Sequence, residues 1–161
     1  MVFVFTGRGT SDSAMKKKFL FDRIDDGVVR FMSRFGIPLL RVALGLVFVW
    51  FGLLKVFRIS PVADLVAQTV YWIPPKFFVP FLGCWEIFVG VGLLFRVLLR
   101  TVLLLFFLQM AGTFLVLILR PAVAFQNGNP LLLTTIGEFV VKNLVLISAG
   151  LAIGSTVRRK L

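Results

Sequence analysis

The chain reads as an all-α membrane protein: four transmembrane helices in an antiparallel bundle, preceded by an amphipathic interfacial helix, with a short external helix between spans one and two. Three observations predict this. The 161 residues are 59% hydrophobic, with a mean hydropathy of +1.00. Four apolar runs of about twenty residues, enough at 1.5 Å per residue to cross ~30 Å of hydrocarbon, are separated by turn-forming segments. Arg and Lys gather at the ends of those runs. A soluble domain of this size has too little interior to hide so much apolar surface, 19 Phe included.

Residues 1–15 read as a flexible segment. The basic patch Lys16, Lys17, Lys18 is followed by only three apolar residues before Asp22, so no signal-peptide core is present, and Met15 heads a shorter alternative start. Residues 16–35 read as an interfacial helix. Leu20, Ile24, Val28, Phe31 and Phe35 share one face, and the charged residues lie largely off it. Lys16, Lys17, Lys18, Arg23, Arg30 and Arg34 are the expected contacts with anionic headgroups. The same pattern also suits a soluble helix packed on a partner subunit.

The transmembrane domain is expected over 36–156. Gly36, Ile37 and Pro38 break the first helix, and Pro38 opens the first span, which runs to Phe57. Ser60 then caps a short helix over Val62–Tyr71 with Pro61 at its first position. That helix is too short to span, and Tyr71 and Trp72 suit the headgroup belt. The later spans are Phe78–Phe95, Val102–Leu119 and Thr135–Ser155, with a turn between Arg96 and Arg100 and a loop over 121–134. Residues 157–161 form a basic tail.

A net charge of +11 raises nucleic acid as a partner, but no continuous basic stripe exists, and none is expected to bind. The N-terminal segment, the middle turn and the tail carry most of the basic residues, which places both termini in the cytoplasm. One cysteine, Cys84, and no histidine exclude an intrachain disulfide, C-x-x-C chemistry and bis-His haem, and leave no ordinary zinc site. Cys84 reads as an inert core residue. No phosphate loop, catalytic triad or metal-spaced acid cluster appears, so no catalytic or metal residue is assigned.

The informative residues are the charges inside the apolar runs: Arg41, Lys55, Glu86, Glu138 and Lys142. A lone charge at mid-bilayer costs ~2.5–3.5 kcal/mol or more, so these should pair or face the bundle interior. Arg41, Gly45, Phe48, Gly52 and Lys55 form one stripe at steps of four and three, and Gly83, Glu86 and Gly90 form another. By topology Lys55, Glu86, Glu138 and Lys142 can meet in the outer half of the bundle, while Arg41 anchors at the inner surface.

Two readings of that cluster stand. In one, Lys55, Glu86, Glu138, Lys142, Trp50, Trp85 and Gln109 form a polar pocket with aromatic walls for the head of a lipophilic ligand such as a quinone. In the other, Thr135 and Glu138 form a capping box, Lys142 pairs with Glu138, Lys55 pairs with Glu86 or snorkels, and Gln109 is a helix–helix hydrogen bond.

The motifs also carry a resemblance. The segment LLRVALGLVFVWFGLLKVF, the following RISPVADLVAQTVYWIP and GCWEIFVGVGLLF resemble DoxX-like membrane proteins, and TTIGEFVVKNLVLISAGLAI is similar to the last helix of the YkgB-type subgroup. The likeness covers about residues 36–156. It implies a four-helix protein of a bacterial or archaeal cytoplasmic membrane. It also implies that Lys55, Glu86, Glu138 and Lys142 are this chain's intramembrane polar positions. Some members are linked with thiosulfate:quinone oxidoreduction, others with thiol and oxidative-stress complexes. With one cysteine and no haem ligand, an accessory or quinone-side subunit is the expected role, with lipids and other subunits or further copies as partners. A structural or assembly subunit without ligand is the alternative. A small-solute transporter fits less well, because four spans leave little room for a repeated alternating-access machine.

Overall fold

The computed structural model describes residues 9–157, with side chains from Arg23 onward. Lys16, Lys17 and Lys18, assigned above to the membrane surface, lie outside the described side chains. The chain divides at Pro38 into two units, residues 1–38 and 39–161. Within the described residues, four helices are long and apolar enough to cross a membrane: Arg23–Val56, Pro75–Phe95, Leu99–Leu119 and Thr135–Gly154. The protein is a multi-pass membrane protein.

In the first unit the backbone is helical throughout residues 23–38. Ile24, Val28, Phe31 and Phe35, the apolar face read from the sequence, are all exposed. Arg30 Nε donates to the Asp26 carbonyl at 3.1 Å, and the Arg34 guanidinium sits 5.7 Å from the Phe35 ring centroid. The expected break at Gly36–Pro38 is absent. Helix α1 is continuous over Gly9–Val56 with Pro38 inside it. An internal proline forfeits one hydrogen bond and crowds the preceding turn, at ~3 kcal/mol. Ending and restarting the helix would instead strand several backbone groups, each of which costs several kcal/mol in hydrocarbon.

The second unit is built from the end of α1 together with α2 (Ala63–Thr69), α3 (Pro75–Phe95), α4 (Leu99–Leu119), α5 (Pro121–Ala124), a 3-10 turn (Gln126–Gly128) and α6 (Thr135–Gly154). Helix α2 starts at Ala63 without a side-chain cap, so Ser60 does not cap it. Helix α3 starts at Pro75, three residues before the predicted span, with a proline in its first turn where the missing N–H is harmless. Arg96 and Leu98 adopt left-handed backbone (φ 58° and 48°), which reverses the chain between α3 and α4 within three residues. The 120–134 loop folds on itself through the Phe125–Leu133 bridge.

The glycine stripes govern how α1 meets α3. A Cβ at Gly52 would lie 2.6 Å from the Gly83 carbonyl oxygen, and one at Gly83 would lie 2.7 Å from that of Gly52. Gly45 and Gly90 oppose each other in the same way, at 2.9 and 2.7 Å. The two backbones are therefore in direct contact at two levels one heptad apart. No larger residue fits between them. Phe48, between the glycines of α1, stacks at 5.3 Å on Phe106 of α4. Gly150 of α6 lies against the Phe106 ring, which is fully buried.

This packing predicts asymmetric tolerance among glycines. Gly52→Val should destabilise by about 2 kcal/mol through overpacking. Gly112→Ala, whose Cβ meets nothing within 4 Å, should leave the melting temperature in detergent unchanged or slightly raised. Equal melting of the two variants would show that the α1–α3 contact does not set the fold.

Candidate functional site

The centre of the site is an ion pair between helices. Lys55, in the last turn of α1, places Nζ 2.8 and 2.7 Å from the two carboxylate oxygens of Glu86 on α3. Both residues are buried, at 5% and 6% exposure. Gln109 of α4 joins them by donating from Nε2 to Glu86 Oε1 at 2.5 Å. A carboxylate only accepts, so this bond fixes which way the Gln109 amide points. Its carbonyl oxygen, Oε1, is left buried without a partner. The indole Nε1 of Trp85, the residue before Glu86, is likewise buried and unpartnered.

These side chains stand on the wall of a cavity of about 550 Å³. The rest of the wall is mainly apolar and aromatic, from α1, α3, α4 and α6, and α2 closes one side through residues such as Leu65, Val66 and Thr69. Helix α2 is held there by its packing on α3 and α4 and by the bond from Arg120 to Gln68 at 3.0 Å.

The predicted residues divide into two groups. Lys55, Glu86, Trp85 and Gln109 come together as expected. Glu138 and Lys142 do not join them. They pair with each other at 3.4 Å on an exposed face of α6. Trp50 is 66% exposed and is not on the cavity wall. The capping box is also displaced. Thr134 is the N-cap, accepting from Gly137 N–H at 3.1 Å, so Glu138 falls one position too late to complete it.

Arg41, assigned above to the inner surface, has partners that the charge pattern did not reveal. Its Nη1 donates to the carbonyls of Leu93 and of Leu94 (2.8 Å), in the last turn of α3. Those carbonyls have no partner within their own helix, and a guanidinium there also complements the helix dipole. Cys84 is exposed rather than in the core.

Helix α6 contributes residues that the charge pattern missed. Asn143 is 8% exposed, lies on the cavity wall beside Phe139 and Val140, and donates to the Phe139 carbonyl at 3.3 Å. The signal that would have found this face is Gly150, which lies two turns on from Asn143 on the same side of the helix; both are buried.

With the buried Lys55–Glu86–Gln109 group and its helix pairing in place, the comparison with known families is decisive. A match described as DoxX covers residues 26–119, more than half of the chain. The chain belongs to the DoxX family. The matched stretch of this DoxX-family chain contains the ion pair, Trp85 and Gln109, and stops at the end of α4. Helix α6, with Asn143, lies beyond it. No curated protein and no solved structure matches the chain.

The ion pair sets an energetic expectation. Lys55→Met alone or Glu86→Gln alone leaves one buried group without its charged partner and should destabilise by about 3 kcal/mol. The double variant should recover most of that loss, because the new amide on α3 can still accept from Gln109 and no charge remains. Thermal unfolding of the four proteins in one detergent tests this. Additive losses in the double variant would show that the two groups are not coupled.

Proposed function

We propose that this DoxX-family protein is an accessory membrane subunit of an oxidoreductase complex, and that its cavity receives the head of a quinone. The observation that supports this reading is the cavity itself. Its volume lies in the usual range for small-molecule sites, and its apolar aromatic wall carries a few convergent polar groups. Trp85 Nε1–H is an unused donor there, and the Lys55 ammonium has one more N–H than its two bonds to Glu86 require. Both suit a carbonyl oxygen entering from the apolar side. Intramembrane charges that are costly to insert commonly mark such sites.

The same reading places the chain in a bacterial or archaeal cytoplasmic membrane with both termini in the cytoplasm, following the basic loops. The exposed apolar face of residues 24–35 then rests in the lipid interface. It also keeps the YkgB-like subgroup, other subunits or further copies of the chain as partners, and a role that is not catalytic alone. A structural subunit without ligand is the second reading. What favours it is that Lys55 and Glu86 satisfy each other's charge without any guest.

Lipid extraction and mass spectrometry of the purified protein separate the two. The quinone reading expects a prenyl-tailed quinone at close to one per chain. A well-folded wild type that carries no quinone, and takes none up from loaded vesicles, would leave the structural reading.

A further inference from the structure

A second cavity lies at the opposite end of α4 from α2, and we infer that it holds an anionic phospholipid, its phosphate on Arg100 and an acyl chain along α4. The cavity has a volume of about 560 Å³ and shares no lining residue with the one around Glu86. Arg100, Leu103, Leu104 and Phe107 line it from one face of α4. Gly154 and Ser155, at the end of α6, line it from the other side. Gly154 keeps the two walls apart, since a Cβ there would already meet Leu103 at 3.6 Å. Helix α4 begins at Leu99 and α6 ends at Gly154, so Arg100 stands at the mouth and the groove runs inward from it. From Arg100 to Phe107 it descends ~10 Å at 1.5 Å per residue. Leu104 is 68% exposed, so the groove is open sideways to the bilayer.

Arg100 is what calls for an anion. Among the described residues it makes no ion pair and no hydrogen bond. No carboxylate is at hand to neutralise it. Helices α3, α4 and α6 carry two acids, Glu86 and Glu138, and each is engaged by a lysine elsewhere in the bundle. Arg96, in the turn before α4, adds a second positive charge at this end. A guanidinium presents parallel N–H donors that match the oxygens of a phosphate. Basic pockets between transmembrane helices bind phospholipid head groups in this way. The apolar wall selects among anions. A soluble phosphate ester would answer the charge and leave Leu104 and Phe107 bare. A quinone would cover the wall and leave Arg100 without a counter-ion. A phospholipid does both, because its phosphate sits at the depth where the helices end and its chain runs inward from there.

The test photolabels the full chain in phosphatidylcholine vesicles with a phosphatidylglycerol that carries a diazirine near the ester end of one acyl chain. Adducts are mapped by peptide. They should fall on residues 103–107 and 154–157. Unlabelled phosphatidylglycerol should compete for those positions roughly fivefold better than phosphatidylcholine with the same chains, a comparison that needs no variant. Arg100→Gln should bring the two competitors level there and leave labelling of residues 24–35 in the same preparation unchanged. Arg96→Gln removes a charge from the same turn but not from the cavity wall, and should keep the preference. Excess glycerol 3-phosphate should not compete. Equal competition by the two lipids in the wild type, or adducts confined to other helices, would overturn the site. A loss of preference in Arg96→Gln as large as in Arg100→Gln would replace it with a diffuse basic surface. Displacement by glycerol 3-phosphate would replace the lipid with a soluble phosphate ester.

Discussion

A single contact organises the centre of this protein: the ammonium of Lys55 against the carboxylate of Glu86, 2.7 Å apart and shut away from solvent. Neither charge could stay in hydrocarbon alone. Each therefore dictates where the other's helix must lie, and Gln109 brings α4 to the same point. Three helices converge on one carboxylate. The cavity, the unpartnered Trp85 and Gln109 atoms, and the position of α2 along one side are all arranged around that point.

The glycine contacts make this arrangement possible. The two helices are antiparallel, so Lys55 and Glu86, each one turn beyond its glycine, lie on opposite sides of the Gly52–Gly83 contact; Lys55, whose Cβ sits over Gly83, reaches along α3 to the carboxylate. Arg41 works at the other end of the same pair of helices, where it occupies carbonyls that α3 cannot satisfy itself. The α1–α3 pair thus has polar fastenings near both ends and bare peptide contact between them.

Much of this was legible in the sequence. Hydropathy marked all four spans, because a bilayer demands length and apolarity whatever the tertiary packing. The stripes in α1 and α3 identified facing surfaces because small residues and costly charges recur there at helical spacing. Four things were not legible. Pro38 was read as a boundary, although α1 continues through it. The rotation of α6 about its axis was read from its charges, yet Glu138 and Lys142 can pair on an exposed face as readily as inside. The cap was read at Thr135, yet it forms one residue earlier at Thr134, a choice that only the backbone makes. The part that α2 plays in the cavity could not be read either, since nothing local in a seven-residue helix reveals what it covers.

The two glycine levels between α1 and α3 have a mechanical consequence. A side chain at a helix interface can change rotamer and let its neighbour slide, but a carbonyl oxygen pressed on an α-carbon has no such freedom. Residues 39–56 of α1 and helix α3 therefore form one plate with no side chain at the two glycine levels to adjust. Any opening that admits a bulky guest must come from the remaining walls, with the plate as the fixed reference against which they move.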